Sequence, residues 1–238
     1  MSSGIYVATA GAVAQSNALD ATANNIANAS TAGFRGDRVS FKETLTAARS
    51  PDVSMVAAAT AHGVDGASGA LLQTGNPLDL ALEGDGMFAV DTPNGTRYTR
   101  AGNFQLDAES RLVTQDGYPV HGTGGAAITL PPNAKTITVA TDGTITADGA
   151  QVGKLELDRF DSSQLKREGG SLFSATGSPT GGEPPKVRAG LLESSNVNIV
   201  HGVVDLVKVS RTYESLMQMI QGYHDVESRA ARELGAPK

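Results

Sequence analysis

Few residues in this chain have the type and spacing that chemistry requires. Its four histidines, His62, His121, His201 and His224, are too far apart for the H-x₃₋₅-H spacing of a metal site. Each reads as a surface or internally satisfied imidazole. His224 adjoins Asp225, but adjacent helical positions do not share a face. Asp85, Asp116, Asp142 and Asp148 each precede a glycine. Grouped carboxylates could bind calcium or work as an acid–base pair. Here each lies in its own turn, where aspartate bonds to its local backbone, and the EF-hand spacing is absent. Gly122-Thr123-Gly124-Gly125 has the composition of a phosphate loop, but no helical pattern follows to present backbone N–H groups. Walker, G-x-S-x-G and G-x-G-x-x-G motifs are missing. With no cysteine, thiol catalysis, disulfides and thiolate-bound zinc are excluded. The sequence therefore predicts no catalytic, cofactor-binding or metal-binding residue, and a protein that is not an enzyme.

The elements around these residues suggest a different kind of protein. The net charge is −6 and no Lys/Arg cluster occurs, so the electrostatic footprint of a nucleic-acid binder is missing. No apolar run is long enough for membrane insertion. The first 14 residues lack a basic stretch and a continuous apolar core, so no cleaved signal peptide is expected. Aromatics make up 5% of the chain, Trp is absent and there are 28 glycines, a composition of turns and short strands.

Residues 1–33 carry one charge, Asp20. Ile5, Ala12, Leu19 and Ile26 recur every seven positions, with Thr9, Ser16 and Ala23 four further on. This spacing predicts a helix with a thin apolar seam. If it spans 3–28, its length is roughly 39 Å. Burying a leucine or isoleucine stabilises by about 1.5–3 kcal/mol, and alanine gives far less. Such a helix needs partners. Asn24, Asn25 and Asn28 near its end fit either side-chain bonds across an interface or a frayed C-terminus. Residues 36–46 read as a short helical or mixed extension around Phe41 and Leu45, and the Ala/Gly-rich stretch 47–76 as a connector.

From Asn76 the period changes to two. Leu78, Leu80 and Leu82 alternate with Asp79, Ala81 and Glu83, and short strands punctuated by Asp-Gly turns continue to about 175. That is the signature of an antiparallel all-β domain over 77–175. Residues 176–186 form a Gly/Pro-rich linker. Beyond it, Leu206, Val209, Tyr213, Leu216, Ile220 and Tyr223 are spaced 3, 4, 3, 4, 3, a heptad seam. The predicted class is α+β. The N- and C-terminal helices (1–46 and 187–238) pair as a coiled-coil-like domain, with the β domain between them in sequence.

Five blocks then resemble the bacterial flagellar rod and hook proteins. They are Leu19–Arg35 (LDATANNIANASTAGFR), Gly75–Gly86 (GNPLDLALEGDG), Tyr98–Phe104 (YTRAGNF), Arg111–Val120 (RLVTQDGYPV) and Leu192–Asn198 (LESSNVN), in that order. Length and the run Arg211–Met219 are most similar to proximal rod subunits; a distal rod or hook-type subunit is the alternative within the family. Met87 stands where the family usually has an aromatic, and Ser110 where a turn glycine is usual. The resemblance implies a structural subunit that stacks helically into the periplasmic rod of the basal body and transmits torque. It implies an inner tube of terminal helices and export through the flagellar type III apparatus without signal cleavage. Its partners would be copies of itself and other rod proteins. The candidate subunit-interaction residues are Ile5, Leu19, Ile26, Val203, Leu206, Val209, Tyr213, Leu216 and Ile220 as apolar contacts, Asn24, Asn25 and Asn28 as hydrogen-bonding groups, and Phe34. A periplasmic β-domain enzyme or carbohydrate-binding module is a remote alternative, poorly supplied with aromatics for sugar stacking.

Overall fold

The computed structural model describes residues 2–47, 54–132 and 134–235, and the chain divides into two compact units. The first comprises Met1–Ile26, Asp37–His62 and Asn198–Lys238. It holds helix α1 (Ser2–Ala27) as far as Ile26, strand β1 (Asp37–Ala47), strand β2 (Ser54–Val64) as far as His62, and helix α2 (Ile199–Gly235). The strands β1 and β2 form a two-stranded sheet of their own. The segment 36–46, read from the sequence as a helical or mixed extension, is thus mostly strand, and Phe41 and Leu45 lie in β1. The segment 47–76 is not a plain connector, because β2 and a further strand fall within it; its residues 48–53 lie outside those described.

The second unit comprises Ala27–Gly36 and Gly63–Val197. Its strands are short. The first six are β3 (Leu71–Gln73), β4 (Leu80–Glu83), β5 (Met87–Thr92), β6 (Gly95–Thr99), β7 (Gln105–Leu106) and β8 (Leu112–Val113). Then come β9 (Ile137–Val139), β10 (Thr144–Ala147), β11 (Ala150–Lys154), β12 (Leu157–Asp158), β13 (Leu165–Arg167), β14 (Leu172–Ala175), β15 (Lys186–Ala189) and β16 (Leu191–Glu193). They form a five-stranded sheet ordered β12-β5-β6-β14-β13, a three-stranded sheet β11-β10-β9, and the pairs β15-β4, β16-β3 and β7-β8. Every pairing in this unit is antiparallel.

One core explains the pattern. Leu80, Leu82, Phe88, Val90, Phe104, Leu112, Val120, Ile128, Leu130, Ile145, Leu155 and Val187 pack into a single buried cluster, and Phe88 meets Phe104 edge-on at 5.0 Å. The alternation in β4 and β5 puts these side chains on one face. The other face is also covered, since Ala81 and Ala89 are buried too. The turns follow from backbone chemistry. Gly95, Gly117, Gly143 and Gly149 all have φ near +90°, a region that costs glycine little. Asp142 and Asp148 accept backbone N–H groups of Thr144 and Thr136, as Asp-Gly turns should. Asp85 pairs instead with Arg159.

In α2, Asn198 caps the first turn by accepting the His201 N–H at 3.1 Å. The family-like block Leu192–Asn198 therefore ends at the cap: its first residues belong to β16, and the helix begins at Ile199.

Candidate subunit-interaction site

Along α2, the half-buried residues are Gly202, Leu206, Val209, Ser210, Tyr213, Leu216, Ile220 and Ser228, while those between them are mostly exposed. Five of the six heptad positions, Leu206, Val209, Tyr213, Leu216 and Ile220, lie on this half-buried face, and the sixth, Tyr223, is exposed. What lies against it can be read from the glycines. A methyl placed on Gly4 would lie 3.0 Å from the Tyr223 hydroxyl oxygen, one on Gly11 3.4 Å from Leu216 Cδ1, and one on Gly202 2.9 Å from Ile26 Cγ1. Residue numbers rise along α1 as they fall along α2, so the two helices run antiparallel where they touch.

The most buried residues of α1 are alanines, Ala8, Ala12, Ala14, Ala18 and Ala21. Ile5, Leu19 and Ile26 are only half-buried. Small side chains let the α1 backbone approach its neighbours closely.

A second set of apolar residues is uncovered. Val200, Val203, Val204 and Val207 are exposed in the first three turns of α2, Val203 to 46%. Met219, Tyr223 and Val226 are exposed further along, and Tyr6, Val7 and Val13 on α1. Helical spacing sets Val200, Val203 and Val207 on a face away from the Leu206–Ile220 seam.

The asparagines divide. The Asn25 carboxamide bonds the Asp37 backbone in both directions, donating to its oxygen at 2.9 Å and accepting its N–H at 2.7 Å. It is satisfied inside the chain and is not available to a neighbour. Asn28 accepts from the Thr31 hydroxyl at 3.2 Å, closing the turn after α1. Asn24 is exposed. Phe34, proposed from the sequence as an interaction residue, is 1% exposed. It lies under the Arg167 guanidinium, 4.4 Å from its ring centroid, so it packs within its own unit.

The sequence reading missed a buried ionic cluster in the second unit. Glu193 and Arg100 are each 2% exposed. Arg100 Nε donates to Glu193 Oε2 at 2.5 Å, and its other nitrogens donate to the Gly86, Leu82 and Gly84 carbonyls. Glu193 Oε1 accepts from Arg35 Nη2 at 3.1 Å and from the Gly69 N–H at 3.0 Å. Arg35 also donates to the Gly66 carbonyl and to Ser68. Burial lowers the Arg35 pKa; Glu193 opposes that shift and Arg100 adds to it. The visible signal was a charge inside each of three otherwise small or polar blocks.

The same chain matches three models of known protein families. Residues 5–35 match the flagella basal body rod protein model, 81–147 the flagellar hook protein FlgE/F/G D1 domain, and 188–233 the flagellar basal body rod FlgEFG protein C-terminal model. Over full length it is 33% identical to the flagellar basal-body rod protein FlgF of Mesorhizobium japonicum, across 240 residues and 99% of each chain. The chain belongs to the flagellar basal-body rod protein family. The FlgF protein of Escherichia coli is 35% identical over 97% of each chain. FlgG of Bacillus subtilis is 34% identical over 85% of this chain and 88% of its own. Similarity to FlgF proteins extends nearly end to end, as it does to one FlgG protein, and the chain is most like FlgF. Each matched segment supplies one member of the buried cluster: Arg35, Arg100 and Glu193.

Proposed function

We propose that this protein is a structural subunit of the flagellar basal-body rod, of the proximal FlgF type, that polymerises with copies of itself and other rod proteins to transmit torque. The observation that carries this reading is the coincidence of end-to-end similarity to FlgF with uncovered apolar faces on both terminal helices. An isolated soluble subunit gains nothing from exposing Val200, Val203, Val204 and Val207 to water. A subunit that buries them against a neighbour gains about 25 cal/mol for each Å² removed.

In this reading α1 and α2 pair as a short coiled-coil-like domain through the Leu206–Ile220 seam. The exposed faces then meet adjacent subunits. Ile5, Leu19, Ile26, Leu206, Val209, Tyr213, Leu216 and Ile220 hold the pair together, while Val203 and Asn24 face neighbours. The protein works in the periplasmic part of the basal body and reaches it through the flagellar export apparatus with its N-terminus intact.

Two substitutions test this. Leu216→Asp places a carboxylate in the helix pair; the expected result is loss of incorporation into basal bodies with a folded second unit. Val203→Lys changes an exposed residue, so the free subunit should melt as the parent does and yet fail to assemble. Normal motility and rod assembly in both variants would refute the reading. The position of density along the rod axis in electron micrographs of basal bodies separates the proximal assignment from a distal one.

A further inference from the structure

The chain passes between its two units at Ile26/Ala27, Gly36/Asp37, His62/Gly63 and Val197/Asn198. Three of these crossings adjoin the buried ionic cluster. Segments 33–36, 65–70 and 193–196, all in the second unit, lie against one another there. Gly33 N–H donates to the Glu193 carbonyl at 2.7 Å, Asp65 N–H to Gly36 at 2.7 Å, Ser194 N–H to Ala70 at 2.8 Å, and Asn196 N–H to Phe34 at 3.2 Å. The backbones approach so closely that a methyl on Gly69 would lie 1.8 Å from the Ser194 oxygen.

Two side chains tie the segments together. Glu193 holds Arg35 from the first segment, the Gly69 N–H from the second, and Arg100 from the β framework. The Asn196 carboxamide accepts the Gly36 N–H at 2.7 Å and donates to the Ala67 and Asp65 carbonyls at 2.9 and 3.4 Å. Buried ion pairs are weak stabilisers compared with apolar packing of the same volume, and their attested use is to fix register. Apolar contacts tolerate sliding; a carboxylate whose two oxygens meet three donors does not.

We propose that Glu193 and Asn196 are positioning residues that lock these three chain segments of the second unit into one register, so that they cannot slide past one another when the subunit is twisted. The mechanical purpose rests on the rod reading above. The lock itself does not, and can be measured on the isolated full chain.

Hydrogen exchange of the Asn196→Ala variant is the test. The informative amides are Gly33, Asp65 and Ser194, whose own acceptors the substitution leaves in place. The expected result is exchange at least tenfold faster at all three together, with the core amides of Leu112, Val120 and Leu155 unchanged. Faster exchange confined to Gly36 and residues 195–197 would overturn the lock. Glu193→Gln, which keeps the side-chain shape and removes the charge, should loosen the same three amides; if that variant fails to fold, Asn196→Ala decides alone. In cells, Asn196→Ala subunits should enter basal bodies and support hooks, but rotation should fail as the viscous load rises. Parental rotation at every load would overturn the mechanical purpose of the lock. Absence of the parent protein from basal bodies would instead refute the rod reading, with the exchange result still deciding the lock.

Discussion

Among the described residues, two non-glycines of the second unit have positive φ, and they predict opposite responses to the same substitution. Ser110 has φ of 60° and Asp148 of 50°. The left-handed region costs an L-residue about 1–2 kcal/mol. Glycine removes that cost but gives back about 0.5–1 kcal/mol in chain entropy. At Ser110 nothing else changes: its hydroxyl has no partner among the described residues, and its backbone bonds to Asp107 and Leu130 remain. Ser110→Gly should therefore stabilise by about 0.5–1 kcal/mol. At Asp148 the carboxylate accepts the Thr136 N–H at 2.9 Å and the Lys135 N–H at 3.1 Å. Each such bond contributes about 0.5–1.5 kcal/mol, so Asp148→Gly loses more than it gains and should destabilise by about 1 kcal/mol. Thermal unfolding of the full chain, followed by a probe of the β unit, reads the difference. A change of 1 kcal/mol shifts Tm by about 2–4 °C at this size. Ser110→Gly should melt higher than the parent and Asp148→Gly lower. Shifts in the same direction would show that backbone strain and side-chain capping have been wrongly apportioned.

Three further predictions test other links. Gly33 has φ of +64°, and a methyl there would lie 2.3 Å from the Arg100 carbonyl carbon and the Ala101 nitrogen. Backbone cannot give way, so Gly33→Ala should cost more than about 4 kcal/mol in urea unfolding; a loss below 1 kcal/mol would refute that packing. Gly11→Ala should raise helix content and helix melting, because alanine is better than glycine by about 0.8–1.0 kcal/mol in a helix and its methyl would just touch Leu216; circular dichroism unchanged from the parent would count against the pairing. Asp158 has its pKa raised by burial and by Glu156, with His121 opposing. A raised carboxyl contributes stability that is present below its unfolded value and lost as pH rises through its folded value. Asp158→Asn should therefore raise Tm at neutral pH and leave it unchanged below about pH 3.9; a Tm difference independent of pH would contradict this assignment.

What the sequence made legible followed from period and punctuation. The two-residue alternation at Leu80, Leu82, Phe88 and Val90 marks core positions. The heptad at Leu206–Ile220 marks the half-buried face of α2. Asp-Gly dipeptides at 116, 142 and 148 mark turns with positive φ. Strand β2 was not legible, because Ser54–Val64 is rich in alanine, which carries little hydrophobic contrast and weak strand preference. In β1, Glu43 interrupts the alternation of Val39, Phe41 and Leu45. Both strands acquire their character from pairing with each other. In α1 the seven-residue repeat marks Ile5, Leu19 and Ile26, whereas the closest burial belongs to alanines; a hydrophobic scale registers side-chain size and misses close backbone approach.

The ionic cluster was hidden for a different reason. A single arginine or glutamate in a polar block reads as solvated, and its burial depends on a partner far along the chain. Arg35 and Glu193 are 158 positions apart, Arg100 and Glu193 93. The consequence is a closure condition on the whole molecule. A chain ending before Glu193 would fold its β framework around Arg100 and Arg35 with no carboxylate to oppose them, and removing one partner of a buried ionic cluster costs about 3–5 kcal/mol. The segments before and after the β domain are therefore coupled by charge as well as by helix packing: the second unit reaches its full stability only when the N-terminal segment and the strand leading to α2 are both in place.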